Sequence, residues 1–531
     1  MSGTTVGGNL IDRRDAFLAI LAGVLSLGLY TRTLIPWVLP DDSGEFQVLA
    51  YQVGIAHTTG YPIYMLLARA FILLTPMGDV AYRVNLFSAV MGALTIAGVY
   101  VAGWILSNNR WAALFGALAL TVSFTFWSQA LIAEVYTPAA AFHAALWVAL
   151  LVWHRTGQKW ALFLAGLCGG VGLGVHTNLA LLAPAVGIFL WLNKDRWREF
   201  WKPALSGALM GLSLFLIGYM IVDFNAPPAN IFNASYGPAR SAWALTENDI
   251  NNPIARFWFI VSARQWRGAM FVDPLKDTPE HFAEYVWNIL REFSPLTIGL
   301  ALLGWVILFR RDERLAALFS AALLFCWVYN FNYRVGDIYV FHIPGYLLIA
   351  LLAAVGLGNI FQRLEQLKWR GMRIWQTGLM LAVIIVGILP VFLPRLDAVK
   401  HGRAPFINAE DYFVDDSSEL VYKAAARVVP LLDKDAIVFV DWHNLYPYYY
   451  AAHIEQQRTD LRFVEMYTHT DTPGLPESVI EFILSEIDSH PIYFADRVAA
   501  LEKAGFELRP TYFGFLRFYK VQTTAGQTKT P

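Results

Sequence analysis

The sequence predicts a mostly α-helical, polytopic membrane protein, with about eleven spans followed by a soluble-like α/β domain on the non-cytoplasmic side. Three observations carry this. Of the 531 residues 56% are hydrophobic and only 15% charged, too few charges to solvate an ordinary globule of that length. Apolar stretches long enough to cross a bilayer recur as far as residue 394. Beyond it the chain alternates short β-rich runs with polar helical stretches.

The same counts exclude other classes. A formal net charge of −1 gives no footprint for nucleic acid. The two cysteines, Cys168 and Cys326, both sit inside apolar segments, so neither a disulfide framework nor a cysteine metal site is expected. The N-terminal apolar run has a basic flank but no small-residue cleavage site after it, and reads as a retained first span.

The expected spans are residues 15–35, 84–106, 111–128, 138–153, 160–176, 178–192, 203–222, 293–309, 315–330, 338–358 and 374–394. Segment 61–76 is apolar but short, with Arg69 at its centre, where a charge in lipid is costly. If it does not cross, basic loops fall on one side: Arg13 and Arg14, Arg110, Arg155 and Lys159, and the clusters around Arg196, Arg310 and Lys368. The positive-inside rule makes that side cytoplasmic, with the N-terminus inside and residues 36–83 outside.

In this outer stretch Phe46, Leu49, Ala50 and Val53 form one apolar helical face with Gln47 and Gln52 off it. Two interfacial helices are expected within 44–76, at about 44–54 and 61–76. Residues 223–292 form a second outer piece, rich in Asn, Pro, aromatics and Arg, too long for a mere connector. The expected division is therefore a membrane domain over 1–394 and a non-cytoplasmic α/β domain over 395–531. Its strands are AIVFVD (436–441), LRFVEMY (461–467) and PIYFA (491–495), and its last residues are a polar tail.

The stretch Asp41-Asp42-Ser43-Gly44-Glu45 has two readings. Asp42 as N-cap with Glu45 at N3, next to Pro40, is an ordinary helix start. A cap needs one acid, however, and three acids near lipid headgroups raise electrostatic cost unless cations or a substrate use them. His57, Arg69 and Arg83 lie in the same outer region. At other outward span ends stand Glu134, His176 with Asn178, and Arg334 with Asp337 and His342, each of which alone reads as structural. Together they would line one outward cavity, with Arg and His suited to a phosphate. No spacing carries a strong metal signature, so no metal residue is assigned and a divalent ion stays compatible. Neither a Walker loop nor a dinucleotide fingerprint is present.

The order of features, one span, an acidic outer motif, then HTTGYPIYMLLARAF and YRVNLFSAVMGALTIAGVYVAGWIL, resembles the GT-C superfamily of polyprenyl-phosphate-sugar-dependent glycosyltransferases. More narrowly, Asp42-Ser43-Gly44-Glu45-Phe46, His57 with Gly60-Tyr61-Pro62, and Glu134-Val135-Tyr136 resemble the transmembrane protein 260 family of O-mannosyltransferase-like proteins. The likeness covers about residues 15–350, and residues 436–466 resemble the family's C-terminal region. Thr58-Thr59 depart from the pattern, standing where the family often has two prolines.

This resemblance implies a membrane enzyme that moves a sugar, a hexose such as mannose, from a polyprenyl-phosphate carrier to an acceptor hydroxyl with inversion. The implied partners are membrane lipid, the lipid-linked sugar and a protein Ser/Thr or glycan acceptor; no cofactor is implied beyond the donor. Such a transfer needs a base for the acceptor's proton, and Asp42 is the candidate, with Asp41 and Glu45 as orienting or acceptor-binding groups. The departing phosphate needs cationic stabilisation, for which Arg83, Arg334 and His57 are candidates. Tyr61, Glu134, His176 and His342 complete the expected substrate-binding set. The expected location is a multi-pass membrane, the inner membrane in a bacterial host. Two other readings stay open: a transporter or flippase of a lipid-linked sugar, and a non-catalytic anchor presenting the C-terminal domain. Against the transporter, the acids gather outside rather than at mid-membrane.

Overall fold

A computed structural model describes residues 10–366, 372–401, 416–466 and 475–523. The chain forms two compact units, each assembled from separated stretches of sequence. One comprises Met1–Ile35, Leu86–Leu216 and Gly268–Tyr412; the other comprises Pro36–Asn85, Ile217–Arg267 and Phe413–Pro531.

Among the described residues six helices are long and apolar enough to cross a membrane, and a seventh is added if the bent pair Pro274–Glu292 and Pro295–Arg311 counts as one span. Each expected span falls on helix, but not always on a long one. The 111–128 stretch divides into Arg110–Thr121 and Phe124–Gln129, and 178–192 divides into a 3-10 turn, Thr177–Leu182, and the helix Ala183–Leu192. Apolarity is continuous through both breaks, which is why hydropathy alone did not place them. The 223–292 piece carries a succession of short helical segments and then the 19-residue helix Pro274–Glu292.

In the first unit, helix Arg13–Thr33 starts at a capping box. The Asp12 carboxylate accepts from the amides of Arg14 and Asp15, 2.7 and 2.9 Å away, and Asp15 accepts in return from the Asp12 amide. Arg110 then binds both acids, each at 2.6 Å. Helices Pro295–Arg311 and Ile343–Gln366 cross at two glycines. A Cβ on Gly304 would stand 1.9 Å from the Leu352 carbonyl oxygen, and one on Gly356 would stand 2.1 Å from that of Leu300. Small residues let helix backbones meet where lipid offers no hydrophobic drive between helices.

The second unit contains a five-stranded sheet in the order β2-β1-β3-β5-β4, with β1 Ile437–Val440, β2 Arg462–Glu465, β3 Ile492–Phe494, β4 Phe506–Phe513 and β5 Leu516–Thr523. The three runs read from the sequence are the parallel strands β1, β2 and β3. The sequence reading did not find the antiparallel hairpin of β4 and β5, whose charged, Pro-containing sequence hides its alternation. Tyr467, the end of the expected second run, and the polar tail from residue 524 lie outside the described residues, as do Lys368 and Arg370. The sheet's core stacks Phe439 on Phe494 with ring centroids 4.3 Å apart, backed by Val479 and Ile483.

Helix Asp41–Gln52 also belongs to this unit and corrects two expectations. Its N-cap is Pro40 and no side chain caps it, so Asp42 is not an N-cap and the carboxylates are left for other partners. Nor does it keep a polar face: Ser43 to Ala50 are all buried. Gln47 is buried with its amide donating to Asn85 Oδ1 (2.9 Å) and its carbonyl accepting from the Leu39 amide (3.0 Å). Paired in this way, a polar residue costs little to bury.

Candidate functional site

Local chain geometry builds the site from a helix start and a tight turn. Helix Asp41–Gln52 ends at Val53, and helix Pro62–Leu74 begins with proline at its first position, where the missing N–H costs nothing. Between them the Gly60 amide donates to the His57 carbonyl at 2.7 Å, with Gly60 at φ +83, a conformation that favours glycine. The turn aims His57 back at the helix. Gly44 is required by closeness: a Cβ there would meet the Leu39 carbonyl oxygen at 2.3 Å and Tyr446 at 3.3 Å.

The acids of the motif separate into distinct roles. Glu45 is fully buried; it accepts from His57 Nδ1 at 2.5 Å, from the His57 amide at 2.8 Å and from the Tyr446 hydroxyl at 3.0 Å. Burial pushes its carboxyl above the ordinary range, and the His57 charge pulls it back. With Nδ1 assigned as the donor to Glu45, His57 Nε2 faces the Tyr61 hydroxyl at 3.3 Å and Asp42 Oδ2 at 3.7 Å. Asp42 is about one third exposed (36%), and its Oδ1 accepts from the Trp442 indole at 3.2 Å. Asp41 opens the helix at φ +56, sparsely populated for a residue with a Cβ, and binds His443 Nδ1 at 3.0 Å. That contact raises the His443 imidazole above its usual value, against the opposing effect of burial.

A further layer lies beneath. Thr58 meets the Tyr236 hydroxyl at 3.2 Å, and Tyr236 donates to Gln265 Oε1 at 2.5 Å. Glu465, at the end of β2, is buried and accepts from the Ser235 hydroxyl. Burial lifts its carboxyl to about 7. The arrangement is one accessible carboxylate, Asp42, steadied by an indole and an imidazole, above a buried carboxylate–imidazole pair. Chemically it can accept a proton from a hydroxyl at Asp42 and meet developing negative charge with two imidazoles.

Of the residues singled out in the sequence, the structure gathers Asp41, Asp42, Glu45, His57 and Tyr61. Arg83, in the same unit, binds the carbonyl oxygens of Ile72, Met77 and Gly78 at 3.1 to 3.2 Å and ties down the turn after helix Pro62–Leu74. Glu134, His176, Arg334 and His342 belong to the first unit. Glu134 is buried beside Val135, whose amide donates to it at 3.3 Å. His176 accepts from the Asn178 amide at 3.1 Å and packs on Tyr136 and Phe341. Arg334 makes a bidentate pair with Asp277, and His342 packs on Tyr285 with Asn330 at its Nδ1. Trp442, His443 and Tyr446 were missed. Their signal was present as Asp441-Trp442-His443-Asn444 directly after a β-run, a place where α/β sheets bind ligands.

Residues 42–199 match the model of the protein O-mannosyl-transferase TMEM260 N-terminal domain. The protein O-mannosyl-transferase tmem260 of Dictyostelium discoideum is 26% identical over 226 residues, covering 39% of this chain and 27% of that protein. The mouse TMEM260 is 36% identical over 121 residues, covering 23% of this chain and 17% of that protein. The chain thus spans only about a quarter or less of these relatives. Among solved structures, ArnT of Cupriavidus metallidurans, crystallised with undecaprenyl phosphate, superposes with a TM-score of 0.59 at 11% identity, covering 96% of this chain and 98% of that one. The chain is therefore similar over residues 42–199 to the TMEM260 protein O-mannosyl-transferases, and over nearly its whole length it shares the fold of ArnT.

Proposed function

We propose that this chain is a membrane glycosyltransferase that transfers a hexose such as mannose from a polyprenyl-phosphate carrier to an acceptor hydroxyl, of a protein Ser/Thr or a glycan, in one inverting displacement. The observation that carries the reading is Asp42: a carboxylate open to solvent on one side, with Trp442 on one oxygen and His57 facing the other. The acceptor oxygen attacks the anomeric carbon, its proton passes to Asp42, and the electron pair of the breaking carbon–oxygen bond goes to the phosphate. His57, held through Nδ1 by buried Glu45, orients Asp42 and lends it positive charge. The likeness to TMEM260 proteins supports the acceptor class, and the ArnT fold supports a lipid-phosphate carrier.

The basic-residue pattern supports about eleven spans with the N-terminus cytoplasmic. It puts the acidic motif on the outer side and the region after residue 395 on the same side, facing the acceptor. Arg83, Glu134, His176, Arg334 and His342 enter as proposed substrate-binding residues, each open to single substitution.

The test is radiolabelled mannose transfer from a synthetic polyprenyl-phosphate donor by the purified full chain, wild type against Asp42→Asn. Transfer by wild type and its collapse in Asp42→Asn support the reading. Equal turnover removes Asp42 as base, and no transfer by wild type to any hydroxyl acceptor favours transport or anchoring.

A further inference from the structure

The sequence names Arg83, Arg334 and His57 for the phosphate's charge. Several arginines of the second unit near the sheet and the motif already have anionic or carbonyl partners, while Arg69 lies over the Tyr51 ring. Arg83 is bound to three carbonyl oxygens, Arg256 to Asp223, Arg462 to Glu486, Arg458 to Asp460, and Arg240 to Glu247 and Glu481. Beside the proposed base the structure offers a further cation, in a place the sequence did not point to.

His443 follows β1, the strand between β2 and β3. The chain leaves β1 for its parallel neighbour β2 and then crosses to β3 on the other side. The carboxyl end of β1 is therefore the point where the connections diverge, which in open α/β sheets is where ligands bind. Asp441 sits at this corner with its carboxylate bound to Asn444, amide and side chain both, so it holds the turn. His443 extends past it. Its Nδ1 is taken by Asp41, both side chains are about half exposed (52% each), and no second partner of the ring stands among the described residues. The pairs run in register: Asp41 with His443, and Asp42 with Trp442. The His443–Asp41 pair thus lies one residue along, on each of the two stretches, from the Trp442–Asp42 pair that holds the proposed base.

We infer that His443, oriented and charged by Asp41, is the group that binds the donor's phosphate, its Nε2–H donating to a phosphate oxygen. This rests on the glycosyltransferase reading and deepens it. As the glycosidic bond breaks, the oxygen that leaves the anomeric carbon keeps the bonding pair, and the second negative charge it brings to the phosphate is met by the imidazolium. The acceptor's proton goes separately to Asp42. The charged groups facing the ring are Asp41 from the acidic helix and Asp441 from the end of β1, and both favour the cation. A His443–Asp41 dyad acting as the base instead would need the neutral ring, so the two roles have opposite pH signatures.

The experiment measures binding of a short-chain polyprenyl phosphate, with inorganic phosphate alongside, to the detergent-purified full chain as wild type, His443→Gln, His443→Arg and Asp41→Asn. Expected are affinity for the lipid phosphate that weakens as pH rises through the histidine's range, a loss of about tenfold or more in His443→Gln, and recovery in His443→Arg. In transfer assays His443→Gln should raise the donor KM by a similar factor while leaving the acceptor KM within about twofold. Unchanged lipid-phosphate binding in His443→Gln, or activity that His443→Arg abolishes and that falls on the acid side, overturns the inference. The outcomes separate it from the parent reading: phosphate binding lost in His443→Gln without any sugar transfer by wild type would remove the enzyme and keep the phosphate site. Inorganic phosphate binding as tightly as the lipid would make the site one for free phosphate, against a donor role.

Discussion

One residue, His57, gives Glu45 two hydrogen bonds, from its ring Nδ1 at 2.5 Å and its own amide at 2.8 Å, so the carboxylate clamps a side chain and the turn that carries it. Removing one member of a buried charged pair strands the other. Glu45→Ala should lower stability by about 3–5 kcal/mol. Thermal unfolding in detergent would show it, and the Glu45→Ala/His57→Ala double variant should lose clearly less than the sum of the two single losses. Strict additivity would mean that the pair is not coupled.

Asp42 and Trp442 should differ in the size of their effect. Asp42→Asn should reduce kcat by about 10²–10⁴-fold, the usual contribution of a positioned base. Trp442→Phe removes one hydrogen bond to a charged group, so its loss should be roughly tenfold. A tryptophan variant as impaired as the aspartate variant would show that the indole does more than steady the carboxylate.

Glu465 makes stability depend on pH. Burial holds its folded-state carboxyl at about 7 against an ordinary 4.5. Between those values the unfolded chain binds fewer protons at this group, so stability falls as pH rises from 4.5 and levels off above 7. The span is at most about 3 kcal/mol. Unfolding temperatures from pH 5 to 8 should decline in wild type more than in Glu465→Gln, and parallel curves would contradict the assignment.

The glycine crossing of helices Pro295–Arg311 and Ile343–Gln366 tolerates no side chain. Gly356→Val puts carbon where the Leu300 carbonyl stands, and should cost about 1–3 kcal/mol or prevent folding. Detergent stability of this variant compared with Gly378→Ala, a glycine with open space around it, checks the claim.

Sidedness has a direct test at the two ends of helix Val80–Ser107. Met77 and Asn108 are both exposed. Cysteines at 77 and 108, in a background lacking Cys168, should react with an impermeant reagent from opposite sides of the membrane. Labelling from the same side would discard the proposed topology.

What sequence could see here follows from distance along the chain. Asp42, Glu45, His57 and Tyr61 sit within twenty residues, so spacing was enough to group them. Trp442 and His443 lie about 400 positions later, and no periodicity links two such stretches. The cap reading of Asp42 failed for a related reason: Ser/Thr/Asp followed by Glu is a local pattern, and tertiary partners outbid it. Charge alone nominated Arg83 and Arg334, yet which anion or carbonyl an arginine finds depends on the folded neighbourhood. The sheet was legible where its strands are buried on both faces and therefore continuously apolar, as β1 is, and illegible in the half-exposed hairpin.

The pairing of Asp41 with His443 and of Asp42 with Trp442 also has a consequence in time. A growing chain emerges N-terminus first, so the acidic motif leaves the ribosome with Asp41 and Asp42 lacking these partners and keeps them so until residues 442 and 443 have been made. Any product of a premature stop before residue 442 would carry the motif, insert its helices and lack the indole and imidazole that complete it. The proposed site is thereby tied to synthesis of the chain as far as residue 443.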